Sequence, residues 1–251
     1  VLTFGCQMNQ HDAQKMANLL HHEGMTASDR SEAADVVVIY TFSFHDTATP
    51  EIYTELGILL ARKRSEPGLI VGVGGCVAQQ EGEDLLRRFP RLDFAFGPQN
   101  LVHLPAMVRA ARERERSLRI DYDDPAGTRF DLPGRHPGYA TPTPGRAFVT
   151  VMEGCDLFCS YCVVPRTRGR EVSRPSARIV EEIRTLAAAG TSEVTLLGQT
   201  VNAYGRARPG QVEGELAFAD LIRRVAEIPG IRRIRFTSPH PRFVTPDLIR
   251  A

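Results

Sequence analysis

The sequence lacks an apolar run long enough to cross a membrane and an N-terminal segment typical of a signal peptide. Its longest purely apolar stretch covers residues 36–40, whereas a membrane-spanning helix needs about 20 such residues. A dominant charge is also lacking, because 31 Lys and Arg stand against 30 Asp and Glu. With 42% hydrophobic and 24% charged residues, we expect a soluble protein of one large or two ordinary domains, neither disordered nor collagen-like.

Cysteine is scarce, and its number is odd. Five cysteines in 251 residues exclude a disulfide-dense mini-protein, and a closed set of disulfides would leave one cysteine over. Three of the five lie within eight residues, which favours a metal or cluster site in a reducing compartment. The cytoplasm is therefore the expected location, without association with a membrane. The cysteines are Cys6, Cys76, Cys155, Cys159 and Cys162.

Positive charge is concentrated in the second half of the chain. Residues 147–251 contain 15 Arg and 11 acidic residues, a charge of +4, whereas residues 1–146 contain 16 basic and 19 acidic residues, a charge of −3. The second half is thus the more favourable face for a polyanion. Part of this charge lies in one run, which is predicted either to bind phosphates or a carboxylate or to be a solvated surface. The run consists of Arg166, Arg168, Arg170, Arg174 and Arg178.

The first 116 residues alternate between strand and helix patterns. Apolar β-branched runs predict strands over 1–5, 36–40, 69–73 and 93–96, and helical spacing predicts helices over 11–22, 51–64, 78–88 and 101–116. This order is typical of an open parallel α/β sheet with helices on both faces, whose ligands bind outside the carboxyl ends of the strands. Cys6 and Cys76 each follow a strand end and a glycine, so we expect them on one edge. The alternative is two unrelated buried thiols.

A proline-rich stretch at residues 117–146 predicts a linker between two domains. Residues 147–251 return to alternating strand and helix patterns, with strands over 147–152, 193–197 and 232–236 and helices over 176–189 and 215–227. Three βα units are too few for an eight-unit barrel of about 250 residues. We therefore expect a truncated (β/α) partial barrel, in a chain that begins at Val1 and ends within a pattern, as a fragment does.

The spacing Cys155-x-x-x-Cys159-x-x-Cys162 carries the strongest chemical signal in the chain. Thiolates are soft ligands that select iron–sulfur clusters, zinc or copper(I). A cubane normally takes four cysteines, so three leave one iron open for an exogenous ligand. A structural zinc site would need a fourth ligand, and no paired cysteines or histidines follow downstream.

This cysteine motif, with Tyr161 before its last cysteine, resembles that of the radical S-adenosylmethionine (radical SAM) superfamily. The resemblance implies that Cys155, Cys159 and Cys162 hold a 4Fe–4S cluster and that S-adenosylmethionine binds its open iron. It also implies a cofactor contact for Tyr161. Gln199 and Asn202 follow a predicted barrel strand, where they are placed to touch cofactor or substrate, with loop capping as the alternative.

Within this superfamily the chain resembles the methylthiotransferases, and in particular their tRNA branch. The resemblance implies transfer of a methylthio group to C2 of N6-isopentenyladenosine-37 of tRNA, with S-adenosylmethionine and an electron donor of unspecified identity as further partners. Threonylcarbamoyl-adenosine or a ribosomal protein is the alternative substrate. An RNA-binding barrel, which follows the radical domain in the family, is not among the 251 residues. The matching stretches are residues 5–9, 75–79, 152–155, 162–165, 167–171, 173–174, 196–205 and 236–241.

The resemblance also implies a second, auxiliary 4Fe–4S cluster held by three cysteines of the N-terminal domain. Cys6 and Cys76 match two of them, but Phe42 stands where the third is expected, and a phenyl ring cannot ligate iron. His45 is a candidate replacement, since histidine ligates iron in some clusters. The alternative is a degenerate member of the family that holds a cluster or RNA without transferring sulfur.

Overall fold

The computed structural model describes residues 1–42, 48–122, 130, 132–134, 136, 143–206 and 215–251. It divides the chain into two compact units. The first comprises Val1–Tyr139 together with Arg166–Arg168, and the second comprises Ala140–Pro165 and Gly169–Ala251. No helix within the described ranges is long and apolar enough to span a membrane.

The first unit is a five-stranded parallel sheet in the order β1-β2-β3-β4-β5. This confirms the predicted parallel α/β class. Its strands are β1 (Leu2–Thr3), β2 (Val36–Thr41), β3 (Ile70–Gly75), β4 (Phe94–Phe96) and β5 (Ser117–Arg119). Its helices are α1 (Gln7–His22), α2 (Ala48–Ser65), α3 (Cys76–Glu81), α4 (Glu83–Arg88) and α5 (Leu104–Arg112).

Both faces of this sheet are covered, which explains why its strands read as continuous apolar runs. On one face, Val37 and Ile39 of β2 pack with side chains of α2, α3 and α4. On the other, Val38 and Tyr40 pack with side chains of α1 and α5. Successive side chains of a strand point to opposite faces, so each residue of β2 meets a helical layer.

Two glycines of β3 make room for aromatic rings on the neighbouring strand. Gly72 and Gly74 pair in register with Phe94 and Phe96 of β4. A Cβ at Gly72 would lie 2.0 Å from Phe94 Cε2, and one at Gly74 would lie 2.4 Å from Phe96 Cζ. The rings therefore occupy the volume that side chains at these two positions would need.

We expect Gly74→Ala to lower the free energy of unfolding by about 1–3 kcal/mol, because the added methyl overlaps a buried ring. Gly68→Ala is the matched control, since a Cβ there meets nothing within 4 Å, and its effect should be about 1 kcal/mol or less. Denaturant titration of both variants measures the difference. Equal stability of the two variants would contradict the packing argument.

The structure differs from the sequence prediction at several boundaries of the first unit. The helix predicted over 78–88 is two helices, because Gly82 with φ +52° interrupts it. The helix predicted over 101–116 begins with a 3-10 turn at Pro98–His103 and ends as α5 at Arg112. The stretch predicted to start the linker forms β5, whose backbone pairs with β4.

The second unit contains a three-stranded parallel sheet in the order β10-β9-β6 and a small antiparallel pair, β7-β8. Helices α7 and α8 pack on the parallel sheet around Ile183, Leu196 and Leu221. The βα alternation with parallel strands agrees with the prediction. The strands are β6 (Arg146–Thr150), β7 (Met152–Glu153), β8 (Val172–Ser173), β9 (Glu193–Leu197) and β10 (Arg233–Phe236). The helices are α6 (Val164–Thr167), α7 (Ser176–Ala188), α8 (Phe218–Ala226) and α9 (Pro246–Arg250).

Candidate functional site

The cysteine loop of the second unit begins directly after β7, beside the carboxyl end of β9. The Val151 N–H donates to Leu197 O at 2.9 Å, and two residues after Leu197 the chain reaches Gln199. The Gln199 Oε1 accepts from the Gly154 N–H at 2.6 Å, and the Cys155 N–H donates to Gly169 O at 3.2 Å. The start of the loop is thus held from two sides.

The three thiols of this loop are free, and the first is the most buried. The Cys155 Sγ lies 3.0 Å from Thr200 Oγ1 and accepts a hydrogen bond from the Leu157 N–H at 3.4 Å. Cys159 and Cys162 are half-buried, and the Cys162 N–H donates to Cys159 O at 2.9 Å to close a turn. Hydrogen bonds to ligand sulfurs tune iron–sulfur clusters, so the donors around Cys155 suit one.

No three His, Cys, Asp or Glu side chains in the described part of the chain are arranged as ligands of one metal ion. A tetrahedral zinc ion would need such convergence. In a cubane each thiolate binds a different iron, so its sulfurs need not meet at one point. Three reduced, soft ligands on one short loop therefore fit a cubane with an open iron.

Gln199 and Asn202 hold backbone at this site rather than standing open to a ligand. Asn202 is buried; its Nδ2 donates to His240 O at 2.9 Å, and its Oδ1 accepts from the His240 N–H at 2.8 Å. These bonds favour the loop-capping interpretation of both residues, whose role toward a cofactor stays a prediction. Tyr161, by contrast, is 86% exposed. Thr200, which contacts Cys155, was missed, although it lies in the same matching stretch as Gln199.

Gly154 is required by the close approach of the chain behind the cysteine loop. Its φ is +77°, and a Cβ there would lie 2.0 Å from Arg170 O and 2.6 Å from Gly169 O. Both clashing atoms belong to backbone, so no rotamer change relieves the overlap. A side chain at this position must move either the loop or the stretch behind it.

We expect Gly154→Ala to displace Cys155 and lower the iron content of the reconstituted protein by more than half. Gly24→Ala is a matched control, because Gly24 also has φ +77° but has nothing within 4 Å. Both variants bear backbone strain of about 1–2 kcal/mol, yet the control should bind iron normally. Iron analysis after anaerobic reconstitution distinguishes them, and a normal iron content in Gly154→Ala would count against the close approach.

Cys6, Phe42 and Cys76 follow the carboxyl ends of three adjacent strands of the first unit. Cys6 lies between β1 and α1, Phe42 follows β2, and Cys76 begins α3 directly after β3. A Cβ at Gly5 would lie 2.5 Å from Phe42 Cβ, so Phe42 packs beside the Cys6 turn. The two cysteines thus share the edge that the sequence predicted, with Phe42 directly after the strand between them.

The described residues of this edge provide two thiols and a phenyl ring, which do not fit the three thiolates of an auxiliary cubane. His45, the candidate replacement, lies outside the described residues.

A buried ionic network lies beside Cys6 in the first unit. The Asp12 Oδ2 accepts from Arg168 Nη2 at 2.8 Å and from the Tyr40 hydroxyl at 3.0 Å, and both charged side chains are only 3% exposed. Burial alone would raise the pKa of Asp12, but the charges of Arg168 and Lys15 outweigh it and hold that pKa below its usual value. Arg168 Nη2 also donates to Asn9 Oδ1 at 3.2 Å, and this oxygen lies 3.8 Å from Cys6 Sγ.

The arginine run is divided by the structure into buried and exposed members. Arg168 is buried as described, and Arg174 is half-buried, donating to Thr150 O and pairing with Glu182. Arg166, Arg170 and Arg178 are exposed. Of the five arginines, only these three are accessible to a polyanion. The sequence alone could not separate the buried arginines from the exposed ones.

Family models match both parts of the chain. One, described as uncharacterized protein family UPF0004, matches residues 1–97, and the Radical SAM superfamily matches residues 149–251. A solved radical S-adenosylmethionine methyltransferase, TsrM from Kitasatospora setae, aligns with a TM-score of 0.54 at 15% identity, over 95% of this chain and 57% of that one. At this identity the likeness concerns the fold alone.

Curated relatives match nearly the whole chain. A protein of Geobacter sulfurreducens, named tRNA-2-methylthio-N(6)-dimethylallyladenosine synthase, is 50% identical over 249 residues, which are 99% of this chain and 54% of that protein. A protein of the same name from Polynucleobacter asymbioticus is 46% identical over 250 residues, again 54% of its length. The chain spans about half the length of these relatives. The chain is thus similar across both of its parts to proteins of this name, and its residues 149–251 match the Radical SAM superfamily.

Proposed function

We propose that this chain is part of a cytoplasmic enzyme that adds a methylthio group to C2 of N6-isopentenyladenosine-37 of tRNA by radical SAM chemistry. The observation that carries the proposal is the 50% identity, across both units, to a relative whose name states the product of this reaction. The three free thiols on one loop at the carboxyl end of a parallel sheet supply a suitable site. The partners are tRNA, S-adenosylmethionine and an electron donor of unassigned identity.

Cys155, Cys159 and Cys162 would hold the 4Fe–4S cluster, with S-adenosylmethionine at its open iron. When bound, this cluster supplies the electron that cleaves the sulfonium of S-adenosylmethionine. Gln199 fixes the start of the loop through the Gly154 N–H, and Thr200 orients the Cys155 sulfur. The proposed cofactor contact of Tyr161 is compatible with the exposure of its side chain.

The exposed arginines would contribute phosphate contacts, which position RNA without reading its sequence. Arg170 keeps Asp156 as a partner at 3.0 Å while its own side chain is 80% exposed. Arg166 and Arg178 are exposed on either side of it in sequence. Substituting them should weaken RNA binding and reduce its dependence on salt.

The experiment is an anaerobic assay of the reconstituted chain with S-adenosylmethionine, dithionite, inorganic sulfide as the source of sulfur, and an anticodon stem-loop that carries N6-isopentenyladenosine-37. Nucleoside mass spectrometry should find the 2-methylthio product. Stem-loops with threonylcarbamoyl-adenosine and a ribosomal protein serve as competing substrates. Methylthio transfer to either of these in place of the isopentenylated RNA would overturn the substrate, and a chain without iron would overturn the reaction class.

Phe42 favours a second candidate function, a member that cleaves S-adenosylmethionine and binds RNA without transferring sulfur. This candidate predicts 5′-deoxyadenosine without a methylthio product. It also predicts that Phe42→Cys raises the iron content, because the new thiol would lie between Cys6 and Cys76. Ile58→Cys, at an exposed position of α2, is the control for an added thiol. An unchanged iron content in Phe42→Cys would reject the ligand explanation.

A further inference from the structure

Phe158 is the most exposed phenylalanine among the described residues. Its side chain is 71% exposed, followed by Phe236 at 39%. It lies between Cys155 and Cys159, so an apolar ring without a hydrogen-bonding group stands in water at the centre of the cysteine loop. Packing within the described part of its unit gives no reason for a ring at this position.

The backbone on both sides of Phe158 is held by hydrogen bonds. The exposed ring therefore belongs to a defined loop conformation. Before it, the Leu157 N–H donates to Cys155 Sγ at 3.4 Å, and Asp156 Oδ1 accepts from the Glu171 N–H at 3.3 Å. After it, the turn from Cys159 to Cys162 is closed by a backbone hydrogen bond of 2.9 Å. The loop thus presents Phe158 from fixed points on both sides.

An exposed cation is paired with the same loop. Arg170 Nε lies 3.0 Å from Asp156 Oδ1, two residues before Phe158, and its side chain is 80% exposed. Exposed aromatic rings beside exposed guanidinium groups are typical of surfaces that bind unpaired nucleic acid, where bases stack on the rings and phosphates meet the cations. The excess of arginine in residues 147–251 suits the same polyanion.

We infer that Phe158 is a stacking platform for an unpaired base of the RNA substrate, with Arg170, which is paired with Asp156 of the same loop, for the backbone phosphate. The identity of the RNA and the choice of position 37 rest on the proposed function, but the inference does not require that methylthio transfer takes place. A base must leave its stack to be modified, and a ring at the cysteine loop would hold it next to the cofactor. Tyr161, the other exposed ring of this loop, remains assigned to the cofactor.

The test measures binding rather than turnover, so it is independent of methylthio transfer. The probes are two anticodon stem-loops with a fluorophore at the distal end of the stem, one with adenosine and one with an abasic residue at position 37. Fluorescence anisotropy with the anaerobically reconstituted chain gives a dissociation constant for each. The dissociation constant of the abasic stem-loop divided by that of the adenosine stem-loop reports the contribution of the base to binding.

We expect Phe158→Ala to lower this ratio about 5- to 150-fold, because stacking of a base on an aromatic ring is worth about 1–3 kcal/mol. Phe158→Tyr should keep the ratio, since it keeps the ring. Phe236→Ala, a partly exposed ring of the same unit, is the matched control and should also keep it. An unchanged ratio in Phe158→Ala, or an equal loss in the control, would overturn the inference.

A second measurement covers the case in which the alanine variant alters the loop. The unmodified chain is irradiated with a stem-loop that carries 5-iodouridine at position 37, and the cross-linked peptide is mapped. Attachment at Phe158 supports the inference, and attachment elsewhere or none overturns it. A loss of S-adenosylmethionine affinity in Phe158→Ala with an unchanged base ratio would assign the ring to the cofactor and also overturn it.

Discussion

Cys159→Ala is expected to abolish cleavage of S-adenosylmethionine and to remove the iron of the reconstituted chain, from about four atoms per chain to background. The proposed cluster has only three thiolates from the loop, and losing one leaves two, which cannot hold a cubane firmly. Cys159 is a better choice for replacement than Cys155, because it is half-buried, whereas Cys155 is buried against Thr200. Iron analysis and quantification of 5′-deoxyadenosine measure the effect.

Ser160→Ala, in the same turn, is the matched control and should leave iron and 5′-deoxyadenosine unchanged. Cys6→Ala extends the comparison, because Cys6 belongs to the other unit and its loss should not affect cleavage of S-adenosylmethionine. Persistence of cleavage in Cys159→Ala would assign the cluster to other ligands. A loss of cleavage in Ser160→Ala would show that the turn tolerates no change, whatever the side chain.

Arg168→Met should lower the free energy of unfolding by about 3 kcal/mol, the lower end of the range for breaking a buried ion pair, because Asp12 then keeps only Lys15, at 3.4 Å, as its charged partner. The pair is buried on both sides, with Arg168 and Asp12 each 3% exposed. Denaturant titration of the first unit's transition measures the loss. Arg223→Met is the control, since the side chains of Arg223 and its partner Asp247 are 40% and 49% exposed and ion pairs open to solvent contribute little.

The same pair should make stability depend on pH in acid. The pKa of Asp12 is held below the value of about 3.9 that it has in an unfolded chain. Its contribution to stability is therefore complete above that value and is lost as the pH falls through the folded-state pKa. The difference in unfolding free energy between the parent chain and Asp12→Asn should narrow as the pH is lowered below about 4. A constant difference down to pH 2 would show that Asp12 does not titrate with folding.

The sequence predicted those parts of the fold that depend on local pattern. The run at 36–40 is apolar because both its faces are covered, and it predicted β2 correctly within one residue. β5 was missed because its three residues, of mixed polarity, are strand only through backbone pairing with β4. The local composition of a segment does not indicate a pairing strand that lies elsewhere in the chain.

The candidate site shows the same division between local and distant information. The cysteine spacing is a local pattern, and it predicted the loop that the structure places at the end of β7. The pairing of Asp12 with Arg168 joins residues 156 positions apart, so no spacing rule could anticipate it. For the same reason the arginine run was treated as one surface, although Arg168 is buried.

The close fit of Phe94 and Phe96 over the β3 glycines couples residue size at two pairs of positions. Bulk gained at residue 74 can be accommodated only by bulk given up at residue 96, because the two share one volume. Homologous chains that carry alanine at position 74 should therefore carry an aliphatic residue smaller than phenylalanine at position 96. In this part of the sheet, we therefore expect a larger side chain on β3 to be accompanied in evolution by a smaller one at the paired position of β4.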